Sequence, residues 1–322
     1  MKIGVLLTPM SELNLQLASQ VGATDIVATY PGLDRETLLG MQKEVQRHGL
    51  TISCIERLIP TLKFVHNLPE AEEQIEGFKT LIRNMDAAGI RTLSYSWMPD
   101  DDWQRTTVEA LERGGASTTE FNLDDFDEAQ VPTDTGFALP EGFGSTPGEA
   151  LWTNIESFLR EVIPVAEHCG VKLALHPDDP PIDHLNGQDR IITTPEAMQK
   201  VVDLVPSDSN GICFCQGTFA SRGGIDIPAA IEKLAPHITM AHFRDVTGQA
   251  PSFKESFVDN GKTDMVACME AYLNCPSEFV IRPDHVPTLA GEGADNPGYK
   301  TLGRLHAIGY MQGLVHSIER YS

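Results

Sequence analysis

Short runs of apolar and β-branched residues recur along the chain, separated by longer segments of mixed polarity. Apolar runs bounded by polar residues or glycine are typical of buried strands, whereas apolar positions spaced three and four residues apart indicate amphipathic helices. The eight predicted strands cover residues 2–8, 24–30, 51–56, 91–97, 171–177, 211–216, 238–245 and 278–284. Their alternation with helical segments predicts an α/β fold with a parallel sheet.

The helical spacing is clearest in two of the segments between strands. Apolar residues keep this spacing at Ile75, Phe78, Leu81, Ile82 and Met85, and again at Leu151, Ile155, Phe158, Leu159 and Val162. Gly89 and Gly170 follow these segments, as expected for helix C-caps that lead into the next strand. Eight strand–helix units in 322 residues favour a (β/α)8 TIM barrel, with an open doubly wound sheet as the alternative.

Residues 98–148 interrupt this alternation after the fourth predicted strand. The segment is acidic and rich in glycine, and it is far longer than the usual connection between a strand and a helix. Two interpretations stay open: a solvated acidic loop, or a lid over the barrel mouth, where the βα loops of such barrels build their active sites. We expect a single domain over residues 1–322 that contains this insertion.

Composition narrows the range of partners. The chain has 46 acidic and 24 basic residues and a net charge of -22, which disfavours binding to nucleic acid or to an anionic membrane. No run of about 20 apolar residues and no signal peptide is visible, so we expect a cytoplasmic protein. The six cysteines are therefore expected to be reduced thiols or metal ligands.

Polar side chains with metal-binding chemistry stand at the ends of four consecutive predicted strands. His176 ends the fifth strand, Cys215 the sixth, His242 lies near the end of the seventh, and Asp284 and His285 end the eighth. Because the carboxyl ends of barrel strands converge on one rim, these residues are expected to meet there. Two imidazoles, one thiolate and one carboxylate suit a divalent first-row metal ion.

Several motifs at and beyond these strand ends resemble those of the mannonate dehydratase family. They are "HPDDPP" at 176–181, "CQGT" at 215–218, "HFRDV" at 242–246, "RPDH" at 282–285 and "NPGY" at 296–299, with "YSWMPDDDWQRT" at 95–106 and "RGGA" at 113–116. The resemblance implies a xylose-isomerase-like TIM barrel that converts D-mannonate, or a related sugar acid, to 2-keto-3-deoxy-D-gluconate or the matching keto-deoxy acid.

The resemblance also implies roles for individual residues. It implies that a divalent metal, Mn²⁺ first and Fe²⁺, Co²⁺ or Mg²⁺ as alternatives, is bound by His176, Cys215, His242 and Asp284. It further implies that His285 and Tyr299 form the catalytic pair, and which of them accepts the C2 proton stays open. The expected partner is a small anionic sugar acid, and we expect the chain to form a homo-oligomer.

An anionic substrate requires local positive charge in a chain with this net charge. Arg190, Arg244 and Arg282 lie at or just beyond predicted strand ends, where they would bind the substrate carboxylate or orient neighbouring carboxylates such as Asp178. Ordinary ion pairs within the barrel rim are the alternative role for these residues.

Two differences from the family pattern leave the substrate open. Val286 and Pro287 follow "RPDH" where family members carry glycine and a basic residue, and the first strand lacks an arginine–tryptophan pair. A metal-dependent sugar isomerase or epimerase is one alternative function, which Glu56 allows and Cys215 disfavours. A barrel that binds a sugar acid without turning it over is the other.

Overall fold

A computed structural model describes residues 1–100, 103–128, 139–140 and 143–321. Eight parallel strands close into a barrel in the order β1-β14-β11-β10-β7-β4-β3-β2, which confirms the predicted TIM barrel and excludes the open sheet. These strands are β1 (Lys2–Leu6), β2 (Asp25–Ala28), β3 (Thr51–Ile55), β4 (Thr92–Ser96), β7 (Lys172–His176), β10 (Asn210–Cys215), β11 (Ile238–Phe243) and β14 (Val280–Pro283), all within the predicted runs or one residue from them.

Helices pack around the barrel and begin and end at residues suited to those positions. The side chains of Asp34, Thr194 and Asp264 cap helix N-termini, and Gly170 ends a helix in the left-handed conformation at φ 61°. The helices are α1 (Glu12–Gln20), α2 (Arg35–Gln46), α3 (Leu62–Val65), α4 (Ala71–Ala87), α5 (Gly148–Cys169), α6 (Pro195–Leu204), α7 (Gln216–Arg222), α8 (Ile227–Leu234), α9 (Met265–Leu273) and α10 (Thr301–Tyr321). Short 3₁₀ helices cover Arg113–Gly115, Leu123–Glu128 and Ala235–His237.

The barrel interior is filled by small and medium apolar side chains, so it is a packed core and not a channel. Trp103 and Tyr299 belong to the same apolar cluster and cover it at one end. The other members of the cluster are Leu6, Val27, Cys54, Ala174, Cys213, Met240 and Val280. Polar groups at the strand ends therefore lie between this core and the βα loops.

A second, antiparallel sheet covers this end of the barrel, in the order β12-β13-β6-β5. Strands β5 (Thr107–Leu111) and β6 (Ser117–Asn122) come from the predicted insertion, whereas β12 (Val246–Gln249) and β13 (Ser252–Glu255) follow barrel strand β11. Part of the segment predicted as a loop or lid is thus an ordered hairpin. Its stretch 129–138 lies outside the described residues, and closure of a lid stays a prediction.

A further two-stranded ribbon pairs β8 (His184–Leu185) with β9 (Gln188–Asp189) in the loop after β7.

Among the helices of the described ranges, none has the length and apolar character needed to cross a membrane.

Candidate metal centre and active site

The residues predicted at the strand ends meet in the structure. His176 and Cys215 are the last residues of β7 and β10, and Asp284 follows β14 directly. His242 lies on β11, where strand register sets it beside Cys215 on one side and Arg282 on the other. Barrel closure therefore brings together groups that are separated by more than a hundred residues of chain.

Four donor atoms of these residues form a compact group. His176 Nε2 lies 3.2 Å from His242 Nδ1, which is 3.5 Å from Asp284 Oδ2, and Asp284 Oδ2 is 3.7 Å from Cys215 Sγ. Donor atoms that each bind one ion at about 2.0–2.3 Å in a tetrahedral arrangement are spaced by about 3.5 Å. The spacing in the structure thus fits a single first-row cation.

The outer contacts of the two imidazoles leave their inner nitrogens as electron-pair donors. His176 Nδ1 lies 2.6 Å from the carbonyl oxygen of Pro177, which only accepts, so Nδ1 carries the proton and Nε2 faces the cluster without one. His242 Nε2 forms an ion-pair contact of 2.7 Å with Glu56 Oε1, which holds a proton there and leaves Nδ1 facing His176. Two lone pairs that face each other at 3.2 Å repel, so a proton or a metal cation between them is favoured. Although burial opposes protonation, the neighbouring anionic groups raise the pKa of both His176 and His242, so this position favours positive charge.

Cys215 is poised to act as a thiolate. Burial by itself would raise the pKa of its thiol, but Arg244 and the imidazole of His176 outweigh burial and hold this pKa well below its usual value. Cys213, two residues earlier and deeper in the barrel, is the opposite case, because burial raises its pKa to about 11. Cys213 is thus a packed thiol.

Glu56 and Asp284 are held as carboxylates by Arg282. Arg282 Nε lies 2.8 Å from Glu56 Oε2, and Arg282 Nη1 lies 2.9 Å from Asp284 Oδ1. Although burial opposes ionisation, Arg282 and His242 lower the pKa of Glu56 to about 2. Arg282 is therefore engaged in rim ion pairs, which was the alternative role considered for it, while it also lines the cavity.

Arg244 joins the donor cluster to the antiparallel sheet above it. It donates to Asp284 Oδ2 at 2.7 Å, to Asp179 Oδ2 at 2.6 Å and to both oxygens of Glu255 at 2.8 Å. A β-carbon at Gly217 would lie 2.6 Å from Arg244 Cγ, so only glycine leaves room for this guanidinium. Arg244 thus orients the carboxylates of Asp284 and Asp179, and within the described chain it does not line the cavity.

His285 and Tyr299 form a hydrogen-bonded pair beside the donor cluster. His285 Nε2 lies 3.1 Å from Tyr299 Oη, and His285 Nδ1 lies 3.2 Å from Glu255 Oε1. The Glu255 carboxylate only accepts, so it holds the proton on Nδ1 and leaves Nε2 free to accept the phenolic hydrogen. Trp103 packs on His285 with ring centroids 4.1 Å apart and so fixes the imidazole plane.

A cavity of about 710 Å³, counted with its open mouth, joins these groups. It is lined by Glu56, Arg57, Leu58, Ile59, Thr61, Leu62, Ser94, Tyr95, Ser96, Met98, Asp100, Trp103, His176, Asp179, His242, Arg282, Asp284, His285 and Tyr299.

Asp178 and Arg190 lie behind the cavity wall. Asp178 Oδ2 accepts from the backbone of Ile192 at 2.9 Å, which fixes the loop that carries Arg190. Arg190 donates to Asp100 Oδ1 at 3.0 Å and to the backbone of Asp179 at 3.2 Å. Both residues therefore position cavity-lining carboxylates, and in the described chain neither lines the cavity.

Val286 and Pro287 hold the turn after β14 against neighbouring segments. The backbone of Val286 donates to Gly298 at 2.8 Å, which holds the loop that carries Tyr299. The carbonyl oxygen of Pro287 lies 2.6 Å from where a β-carbon would stand at Gly303 in α10, so the helix packs closely against this turn.

Sequence reasoning missed Arg105 and Glu255, which complete the buried ion-pair cluster. Arg105 donates to Asp179 Oδ1 at 2.8 Å, contacts Glu255 closely and lies 3.4 Å from His285 Nδ1. Arg105 lies just before β5, and Glu255 is the last residue of β13. Both strands lie outside the barrel in short hairpins with little apolar character. The one available signal was the position of Arg105 inside the motif at 95–106.

Comparison with known proteins agrees with this geometry. The family model for D-mannonate dehydratase (UxuA) matches residues 8–322. A mannonate dehydratase of Streptococcus pneumoniae is 31% identical over 301 residues, which cover 88% of this chain and 82% of the relative. A mannonate dehydratase of Thermotoga neapolitana is 32% identical over 318 residues, which cover 89% of this chain and 88% of the relative.

Solved structures give the same result. The crystal structure of mannonate dehydratase from Streptococcus suis superposes with a TM-score of 0.90 at 31% identity, and the match covers 99% of this chain and 95% of that one. A D-tagatose 3-epimerase-like protein superposes with a TM-score of 0.63 at 15% identity over 98% of this chain and 99% of that one, a likeness of fold alone.

Proposed function

We propose that this chain, which belongs to the D-mannonate dehydratase family, is a hydro-lyase that removes water across C2 and C3 of D-mannonate or a close relative. The product is the 2-keto-3-deoxy acid. One observation carries the proposal: the same cavity is lined by three of the donor residues and by the catalytic pair, namely His176, His242, Asp284, His285 and Tyr299.

A divalent cation is proposed to be held by His176 Nε2, Cys215 Sγ, His242 Nδ1 and Asp284 Oδ2. The facing lone pairs and the lowered pKa of Cys215 support this assignment. When bound, the cation supplies Lewis-acid stabilisation of the charge that builds on the substrate carboxylate as the C2 proton leaves. Mixed nitrogen and oxygen donors with one thiolate suit a first-row metal, and manganese is the proposed ion because it is the one that the family resemblance implies.

The proton transfers fall to His285 and Tyr299. One of them accepts the C2 proton, and the other gives a proton to the C3 hydroxyl, which leaves as water. The C2–H electron pair forms a C2–C3 double bond as the C3–O bond breaks. The resulting enol then tautomerises to the 2-keto acid, as C3 takes up a proton and the C2 hydroxyl loses one. Glu255 keeps His285 Nε2 directed at Tyr299 Oη, 3.1 Å away, so a proton can pass between the two side chains.

The isomerase alternative has less support from this site. Isomerase-type metal sites are rich in carboxylates, and Glu56 was the residue that kept this alternative open. Glu56 gives one oxygen to Arg282 at 2.8 Å and holds the other 2.7 Å from His242 Nε2. Both oxygens are thus used in orienting other residues.

The test is a substrate screen with the manganese-loaded protein. Hexonates and pentonates are incubated with the protein, and 2-keto-3-deoxy products are measured, with His285→Asn and Tyr299→Phe as variants. We expect turnover of D-mannonate or a close relative, and a loss of roughly 10²–10⁴-fold in each variant because proton transfer is removed. Manganese content should stay at the wild-type level in both variants. Tight manganese binding without dehydration of any acid would overturn the proposal.

A further inference from the structure

Arg304, in the first turns of α10, is a buried guanidinium whose charge is poorly compensated. Its relative exposure is 1%, and in the part of the chain that the structure describes its side chain makes one long hydrogen bond, 3.5 Å from Nη1 to Thr8 Oγ1. Within the described residues, Nε and Nη2 of Arg304 have no hydrogen-bond partner. A buried charged donor without a partner lowers the stability of the folded protein, and a nearby anion would remove this penalty.

Two further features make the cationic form of Arg304 unfavourable by itself. Burial, with Arg282 and Arg57 nearby, lowers the pKa of Arg304 to about 9. The side chain also stands near the N-terminus of a 21-residue helix, where the helix dipole opposes a positive charge. By contrast, Arg282 and Arg244 are each paired with at least two carboxylates.

The group that Arg304 faces is Tyr299. Its guanidinium carbon lies 5.0 Å from the centre of the Tyr299 ring, and that of Arg57 lies 4.2 Å from the same centre. Arg57 is partly exposed, so water screens its charge, whereas Arg304 is screened much less. Among the described residues, His285 is hydrogen-bonded to the phenol oxygen, and Arg282 also faces the phenol, with Asp284 behind them.

We infer that Arg304 is a positioning residue whose charge stabilises the phenolate form of Tyr299. A phenolate is the counter-charge that the buried guanidinium lacks, and each ion makes the other less costly to bury. This inference rests on the proposed function and deepens it, because it assigns Tyr299 as the group that accepts the C2 proton. His285 is then the group that donates a proton to the leaving C3 hydroxyl.

The test reads the ionisation of Tyr299 directly and does not depend on turnover. The protein, loaded with magnesium, is labelled with ¹³C at the tyrosine Cζ atoms, and the resonance that disappears in Tyr299→Phe is assigned to Tyr299. In the wild type we expect its titration midpoint below the ordinary value of about 10. In Arg304→Met the midpoint should rise by at least about one pH unit, since an adjacent opposite charge shifts a pKa by about 1–3 units.

Charge is separated from packing by Arg304→Lys, which should keep the midpoint near the wild-type value. Arg57→Met is the matched comparison, and its shift should be smaller because Arg57 is partly exposed. Arg304→Gln replaces Arg304→Met if the latter fails to fold by circular dichroism. An unchanged midpoint in the uncharged variant, or an equal shift in Arg304→Lys, overturns the inference.

Activity gives an independent reading. If D-mannonate is turned over, Arg304→Met should shift the pH profile of kcat to higher pH with little change in KM. If no acid is dehydrated but the Tyr299 midpoint still follows the charge at residue 304, the proposed reaction fails and the inference stands. If an acid is dehydrated but the Tyr299 midpoint does not change with the charge at residue 304, the proposed reaction stands and the inference about Arg304 is wrong.

Discussion

At the scale of single residues, Cys215 shows how surroundings decide the chemistry of a side chain. Six cysteines are present, and burial raises the pKa of Cys54, Cys213 and Cys268. Cys215 is equally buried, yet its pKa lies well below the usual value because Arg244 and His176 stand beside it. The thiolate at Cys215 is therefore a feature of its position and not of the residue type.

We predict that Cys215→Ser weakens manganese binding by more than roughly 10–100-fold, since a hydroxyl does not replace a thiolate ligand. Isothermal titration with MnCl₂ measures the change. Cys213→Ser, two residues away in the same strand, is the control and should bind manganese as the wild type does. Equal losses in both variants would mean that strand packing, and not ligation, is what the first substitution disturbs.

The meeting of the proposed ligands was predictable from sequence, and the residues that support them were not. His176, Cys215 and Asp284 each end a strand, and barrel closure makes strand ends neighbours whatever their separation in sequence. Arg105 and Glu255 reach the same place through hairpin pairing that no local pattern encodes. Arg304 lies on a helix, where an arginine ordinarily faces water.

At the scale of elements, the β5–β6 hairpin holds a buried arginine over the site. Arg105, just before β5, is fully buried between Asp179 and Glu255, which are themselves bound to Arg244. Removal of one partner from a buried ion pair leaves the other charge uncompensated. The hairpin is thus fixed to the barrel by charge as well as by strand pairing.

We predict that Arg105→Met lowers the free energy of unfolding by about 3–5 kcal/mol. Urea denaturation measures this change. Arg113→Met is the matched control in the same segment, because the Arg113–Asp259 pair is exposed by 46% and 29% and should contribute at most about 1 kcal/mol. Similar small losses in both variants would show that the buried cluster does not hold the hairpin.

His66, directly after α3, binds both ends of the insertion. Its Nε2 donates to the carbonyl of Pro99, and its Nδ1 accepts from the hydroxyl of Thr146 at 2.8 Å. Burial lowers the pKa of His66, so the folded state prefers the neutral ring. Its contribution to stability is therefore complete above the unfolded-state pKa of about 6.5 and is lost as pH falls through the lower folded-state pKa.

We accordingly predict that His66→Gln costs about 1–3 kcal/mol at neutral pH, through the lost buried hydrogen bonds. The penalty should shrink as pH falls below about 6.5, because the wild type then loses the same contribution. Unfolding free energies measured across this pH range check the prediction. His168→Gln, at an exposed position of α5, should show no such convergence.

The barrel strands were predictable because each is a short continuous run of mostly apolar residues, and all eight predicted strands are present. The antiparallel sheet was not predicted, because β5 and β12 are half-exposed and β13 follows a Gly-x-x-Pro turn. Their stability comes from pairing between distant segments, such as Phe253 with Phe121. Sequence patterns report local burial, which β5 and β12 lack.

At the scale of the whole molecule, the acidic composition of the chain is also found at the site, where several carboxylates and one thiolate lie together. Arg105, Arg244 and Arg282 are surrounded by the carboxylates of Glu56, Asp179, Glu255 and Asp284 and by the Cys215 thiolate. The Cys215 thiolate and the Asp284 carboxylate lie 3.7 Å apart, and a cation bound between them would offset their repulsion. Metal binding is therefore expected to stabilise the whole barrel.

We predict that removing divalent ions with a chelator lowers Tm by several degrees, and that manganese restores it. At a free metal concentration of 100 times Kd, the gain is about 2.7 kcal/mol. Differential scanning calorimetry at fixed protein concentration measures the shift. The same titration on Cys215→Ser should give little change, and a Tm insensitive to chelator in the wild type would argue against a bound ion.

The antiparallel sheet has a practical consequence for engineering. Its two hairpins come from different βα loops, and β13 pairs with β6 of the other hairpin. A chimaera that receives only one of these loops from a relative would present an open strand edge at the barrel mouth, and open edges promote aggregation. The two loops therefore form one transplantable unit, and attempts to retune specificity in this scaffold must exchange them together.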